Sequence, residues 1–170
     1  MKIGFFGGCF NPPSNIHIDI AKKVLKENNL DRVIFVPVGD SYEKNELVEA
    51  RHRYNMLKLA IQKYKNIEID DIELNINRKL YAIDIFKLLE NKYNKHTLYF
   101  IMGSDNFEKM SKWKEFDKLK KYNYIVVERN KQDINATEIR DLIREGRDMS
   151  VFLNEGVYKY IKENDLYRRI

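Results

Sequence analysis

At 170 residues the chain is long enough to bury a core and short enough to fold as one unit, so it is read as a single domain over 1–170. Its 44% hydrophobic and 34% charged residues exclude a disordered or fibrous chain, and no apolar run reaches the roughly 20 residues of a membrane span. A net charge of +5, from 31 Lys and Arg against 26 Asp and Glu, suits anionic small molecules; nucleic acid is a reading that net charge alone would carry.

In chain order, Ile3–Phe6 is a short apolar run that predicts a buried strand, broken by Gly7 and Gly8. Pro12 and Pro13 then fix an extended turn. The spacing of Ile16, Ile20, Ala21, Val24 and Leu25 predicts a helix near Ile16–Glu27, with Ser14 at the N-cap position and His17 in the first turn. Strand, glycine loop and helix start together aim backbone N–H groups and the positive end of a helix dipole at one spot, which suits a phosphate. The chain starts directly with this strand, with no signal-peptide pattern, and its one cysteine, Cys9, has no partner for an internal disulfide. Both point to a cytoplasmic location. Cys9 itself reads as a small residue in a tight loop.

Further strands are predicted at Arg32–Val36, Ile67–Ile72, Leu98–Met102 and Tyr124–Val127. Helices are predicted near Glu49–Tyr64, Tyr81–Lys92 and Lys112–Lys120. Short apolar strands alternating with helices imply an α/β fold, a doubly wound parallel sheet covered on both faces. Ligands bind beyond the carboxyl ends of such strands. The glycine loop, Pro37-Val38-Gly39-Asp40 and Gly103-Ser104-Asp105 all fall at that edge. Beyond residue 130 the pattern is helical, at Thr137–Arg144 and Asn154–Asn164 with Gly146 and Gly156 as breaks, which implies a small C-terminal helical subdomain. Within it, Thr137 is placed to cap a helix whose first turn carries Glu138 and Arg140, a second arrangement able to hold phosphate.

Neither G-x-G-x-x-G nor G-x-x-x-x-G-K-[ST] opens a helix here. The string Gly7-Gly8-Cys9-Phe10-Asn11-Pro12-Pro13-Ser14, followed by His17, instead resembles the G-G-x-F-[DN]-P-x-[HT]-x-x-H signature of HxGH-type nucleotidyltransferases. Ile134-Asn135-Ala136-Thr137-Glu138-Ile139-Arg140 resembles the I-S-S-T-x-I-R motif of the same superfamily. Three more segments are similar to the nicotinate or nicotinamide mononucleotide adenylyltransferase family: Pro37–Lys44 with His52-Arg53, Tyr81–Asp84, and Gly103–Asn106 with Trp113. The closing Val157–Ile161 with Leu166-Tyr167 resembles that family's final helix.

The resemblance implies a Rossmann-like nucleotidyltransferase fold and transfer of AMP from ATP to a pyridine mononucleotide, with release of pyrophosphate, in NAD biosynthesis. It implies catalytic roles for His17, Thr137 and Arg140. Gly7, Gly8, Cys9, Phe10 and Ser14 would join them around ATP, as would Gly103, Asp105 and Ala136. Phe10, Asn11, Lys44, Tyr81 and Trp113 would face the mononucleotide. Mg²⁺ would arrive with ATP and be held by phosphate oxygens and water, so no dedicated metal ligands are expected. A homo-oligomer is compatible with the sequence.

The chain departs from the family pattern at Ser14 (His in the bacterial branch, Thr in the eukaryotic), Ile16 (Gly), Ala82 (Thr), and Asn135 with Ala136 (two Ser). Ala82 leaves the choice between acid and amide substrates open. Another member of the superfamily, a cytidylyl or pantetheine-phosphate adenylyltransferase, would share the two main motifs, and a nucleotide sensor with weakened catalysis would explain Ser14 and Ile16. His52 is as well placed to pack as to meet a ligand, and His96 reads as a strand-edge histidine.

Overall fold

The computed structural model describes residues 1–128, 130 and 133–168. In chain order the elements are β1 (Lys2–Gly8), α1 (Asn15–Glu27), β2 (Arg32–Pro37), α2 (Ala50–Ile61), β3 (Ile67–Ile69), α3 (Ala82–Lys92), β4 (Thr97–Gly103), α4 (Ser104–Lys109), α5 (Phe116–Leu119), β5 (Asn123–Val127), α6 (Ala136–Arg144) and α7 (Glu155–Glu163). The five strands form one sheet in the order β3-β2-β1-β4-β5, and every pairing is parallel. This is the α/β doubly wound sheet that the alternating pattern predicts.

The central strand explains the two layers. Successive side chains of a strand point to opposite faces. Ile3 and Phe5 enter one core with Ile34, Val36, Ile83, Phe86 and Phe100. Phe6 packs on the other side, where Val33, Phe35 and Ile101 meet α1, α2, α6 and α7. Gly4 lets that second layer close: a Cβ there would lie 2.7 Å from Leu30 Cδ1 and 2.9 Å from Ile101 Cδ1. The C-terminal helices share this core, burying Ile139, Val157 and Ile161 beside Ile18, Met56 and Leu57.

Four expectations change in detail. The buried face of α1 runs through Ile18, Ala21 and Val24, while Ile16 turns to the cavity described below. β3 stops at Ile69 rather than Ile72 because Asp70 draws the chain aside: its buried carboxylate accepts from the Tyr93 hydroxyl (2.5 Å), Lys92 Nζ (2.8 Å) and the Ile72 amide (2.9 Å). The helix expected over Lys112–Lys120 is reduced to the end of a 3-10 turn at Met110–Lys112 and the single turn of α5, while α4 precedes it as a helix the sequence pattern did not predict. Glu115 adopts a left-handed conformation (φ 54°) between them, held by an ion pair with Lys118. α4 buries no residue, so it left no apolar period to read. Gly146 does end α6 at φ +71°, but Gly156 lies inside α7, where its amide donates to the capping Asn154 Oδ1 at 2.9 Å. No helix among the described residues is long and apolar enough to cross a membrane.

The loop leaving β2 passes tightly against the chain that follows β3. A Cβ on Gly39 would lie 2.6 Å from the backbone oxygen of Glu73, which cannot rotate away. Gly39→Ala is therefore expected to lower stability by about 1–3 kcal/mol in urea unfolding; an unchanged midpoint would show that the two loops separate without cost.

Candidate active site

The strand order reverses between β1 and β4, and the crevice above that point is where parallel α/β sheets bind ligands. A cavity of about 1430 Å³ opens there, walled by the loops after β1, β2 and β4 and by the start of α6. The three loops expected at the carboxyl edge thus meet in one space.

The loop after β1 is built on Phe10. Its backbone is left-handed (φ 49°), a conformation that costs a non-glycine residue about 1–2 kcal/mol. The ring, only 3% exposed, offsets that cost by packing edge-on against Phe6, Phe35 and His17 at centroid distances of 5.1–5.7 Å. Gly8 makes the room, since a Cβ there would come within 3.0 Å of the Phe10 ring.

Ser14 is the N-cap of α1, as its position predicts. Its backbone N–H donates to His17 Nδ1 at 2.9 Å, and its hydroxyl lies 3.0 Å from the same nitrogen. A backbone amide can only donate, so Nδ1 accepts and the ring proton sits on Nε2. The first turn of α1 therefore sets His17 as an Nε2 donor on the wall of the cavity.

α6 supplies the facing chemistry with one correction. Asn135, not Thr137, is its cap: Asn135 Oδ1 accepts from the Glu138 amide at 3.0 Å, and the Glu138 carboxylate accepts from the Asn135 amide at 2.8 Å. This reciprocal pair satisfies two orphan donors, and the Asn-x-x-Glu spacing was its signal. Thr137 stands in the first turn and accepts from Arg140 at 3.2 Å. Arg140 is 5% exposed and also donates to the Asn11 carbonyl (3.0 Å) and to Glu46 (3.2 Å), while its Nε has no partner among the described residues.

The cavity wall includes Gly7, Gly8, Cys9, Phe10, Asn11 and Ser14, together with His17, Lys44, Gly103, Asp105, Trp113, Ala136, Thr137 and Arg140. Tyr81 is not in it. That residue caps α3 with its ring on the surface, 4.4 Å from Lys114 Nζ, and its neighbour Ala82 reaches the wall instead. The Asn11 side chain is already engaged by the Glu46 carbonyl, the Val48 amide and the Tyr167 hydroxyl. Lys44 Nζ lies 3.8 Å from Cys9 Sγ. Trp113 borders the cavity and also packs on the Ile3–Phe5 core. His52 and His96 lie outside the wall; His52 Nδ1 meets the Tyr160 hydroxyl at 2.9 Å, linking α2 to α7.

Two further residues matter to the site: Arg53, which the sequence marks only as part of the His52-Arg53 resemblance and without a role, and Glu73, which it does not single out. Arg53 is fully buried and ties the loops together, donating to the carbonyls of Cys9 (3.0 Å) and Val48 (2.8 Å) beside Asp40. Glu73 is 7% exposed on the cavity wall, and burial pushes its carboxyl up to about 7 against the opposing pull of the Gly39 amide and Arg53. A glutamate between Ile72 and Leu74 just past a predicted strand end was the available sign.

The model of the cytidylyltransferase-like family matches residues 5–163. The chain belongs to that family. A probable nicotinate-nucleotide adenylyltransferase of Maridesulfovibrio salexigens is 37% identical over 139 residues, which is 80% of this chain but 64% of that protein, so the chain spans just under two thirds of that relative. A protein of the same name from Bacillus licheniformis is 32% identical over 98% of both chains. Among solved structures, the Plasmodium falciparum nicotinic acid mononucleotide adenylyltransferase complexed with NaAD matches with a TM-score of 0.79 at 21% identity, covering 98% of this chain and 97% of that one. That likeness shows the fold.

In this member of the cytidylyltransferase-like family, Glu73 makes stability depend on pH. Its carboxyl is raised from 4.5 to about 7, so the folded chain binds more protons than the unfolded one across that window. The Glu73 contribution is then most favourable below about pH 4.5 and is lost as pH rises through 7. Glu73→Gln, which stays neutral, is expected to gain stability over the parent on the order of 3 kcal/mol at pH 8 and much less at pH 5. Denaturant unfolding at both values measures the gap, and a difference independent of pH would refute the assignment.

Proposed function

We propose that the chain joins nicotinate mononucleotide to the AMP moiety of ATP, releasing pyrophosphate, in NAD biosynthesis. The observation that carries this reading is one cavity receiving two helix N-termini, α1 with His17 and α6 with Thr137 and Arg140. The names of the full-length relatives support the choice of co-substrate.

A 5′-phosphate oxygen of the mononucleotide attacks the α-phosphorus of ATP, and the bond from that phosphorus to the β-bridging oxygen breaks. No covalent enzyme intermediate forms. The protein's share is positioning and stabilisation of charge. His17 Nε2–H donates to an α- or β-phosphate oxygen, and the backbone amides of Gly8 and Cys9 line the same path. Arg140 and Thr137 hold the β- and γ-phosphates as they leave. Lys44 neutralises the mononucleotide phosphate, Asp105 accepts from ribose hydroxyls, and Trp113 offers its face to the pyridine ring.

Among the described residues, no group of three or more His, Cys, Asp or Glu side chains is arranged to hold a metal ion. Mg²⁺ would accompany the triphosphate, held by its oxygens and by water, and would supply charge neutralisation there.

Incubation with ATP, Mg²⁺ and nicotinate mononucleotide, its amide, or phosphopantetheine, and separately with CTP, is the direct test. Pyrophosphate release should be fastest with the acid mononucleotide. Release with CTP or phosphopantetheine and with neither pyridine nucleotide would overturn the reading. His17→Ala should lower kcat about 10²–10³-fold while the melting temperature moves by only a few degrees; a comparable collapse of both would make His17 structural.

A further inference from the structure

Arg140, the cavity-wall guanidinium assigned above to the departing phosphates, already pairs with an anion. Glu46, in the loop between β2 and α2, points its carboxylate at α6. One oxygen lies 3.2 Å from Arg140 and the other 2.5 Å from Arg144, which stands one turn further along the same helix and also pairs with Asp141 at 2.7 Å. The Arg140 side chain is 6% exposed, so its guanidinium has little water to compensate its charge. A carboxylate bridging two guanidinium groups does what two phosphate oxygens would do there. Glu46 is also held in a left-handed backbone (φ 59°), its carbonyl accepting from Asn11 Nδ2 at 2.8 Å. The rest of that carboxylate faces solvent, with the side chain 46% exposed, so an exit is open.

We propose that Glu46 is a resident stand-in for phosphate on Arg140 and Arg144, and that the triphosphate of the nucleotide expels its carboxylate, loosening the part of the 38–49 loop around Glu46 while Asn11 and Arg53 keep their hold on Val48. This rests on reading α6 as the seat of the β- and γ-phosphates. Two anions cannot share the pair, because each would face the other's charge at van der Waals distance. Nucleotide affinity is therefore reduced by the work of removing Glu46. Lys44, two residues before Glu46 and 3.8 Å from Cys9 Sγ, lies in the part that loosens, so the setting of the group assigned to the mononucleotide phosphate changes as well.

The test is calorimetric titration of the whole protein with inorganic tripolyphosphate and with a non-hydrolysable ATP analogue, comparing the parent with Glu46→Gln. The variant should bind both about tenfold more tightly. Equal or weaker binding would overturn the proposal, because it would make the carboxylate a support for Arg140 rather than a competitor. Hydrogen–deuterium exchange on the parent supplies a measurement that needs no variant. Tripolyphosphate should speed exchange in the 38–49 loop, and unchanged or slower exchange at saturating tripolyphosphate would also overturn it. The two readings fail separately. Tighter tripolyphosphate binding by Glu46→Gln without adenylyl transfer to a pyridine nucleotide would leave the stand-in and remove the reaction; transfer with unchanged binding would do the reverse.

Discussion

Two buried guanidinium groups grip the loop on which the cavity is built. Arg53 of α2 donates to the carbonyl of Cys9, and Arg140 of α6 donates to the carbonyl of Asn11, one on each side of the left-handed Phe10. Neither contact could be replaced by an apolar side chain without leaving a buried carbonyl unpaired. The clamp fixes the path of the glycine loop, and with it the direction of the amides that follow β1. It also concentrates positive charge at low exposure beside two helix N-termini, which is an environment that favours anions over water. The mild net charge of the chain adds little to that local effect.

Those arginines need counter-charge when no ligand is bound, and the chain supplies it from one segment. The loop between β2 and α2 brings Asp40 to 3.7 Å from Arg53 and Glu46 to 3.2 Å from Arg140. The same segment meets the loop backbone through Asn11, whose side chain bonds to Glu46, Val48 and Tyr167. Loop after β1, loop after β2 and the C-terminal helices are therefore one hydrogen-bonded unit. Packing of α7 on α2 through Tyr160, His52 and Asn55 extends it away from the cavity.

The sheet was legible because its strands are short apolar runs buried on both faces, and Ile3–Phe6, Arg32–Val36 and Leu98–Met102 need no tertiary information to be recognised. The misread places share a cause: a side chain whose partner is remote in sequence overrides the local pattern. Asp70 ends β3 early by meeting Tyr93, 23 residues on. Ile16 has the helical spacing of a core residue, yet only the fold shows that its turn of α1 faces the cavity. Glu46 gave no local signal and Arg53 only a motif match without a role, since an arginine in an amphipathic helix and a glutamate in a polar loop look like surface residues. Their roles come from groups 44 and 94 positions distant.

The departures from the family motif test whether residue identity or geometry is being kept. At the head of α1, serine stands where the bacterial pattern has histidine, and it still caps the helix and fixes the proton of His17 on Nε2 through its backbone amide. That second task needs an N-cap residue with extended backbone and makes no demand on its side chain, so a serine at position 14 is compatible with an imidazole protonated on Nε2. At the head of α6, Asn135 replaces the first of two serines and closes a reciprocal cap with Glu138, so the helix start that carries Thr137 and Arg140 is held in place. Ala136 contributes only its backbone amide and a small side chain to the wall, which is all that a position between cap and threonine has to offer. At Ser14, Asn135 and Ala136 the substitutions fall on groups whose structural work the backbone or a neighbour can do. The imidazole and the guanidinium, whose chemistry no backbone group can supply, are the ones retained.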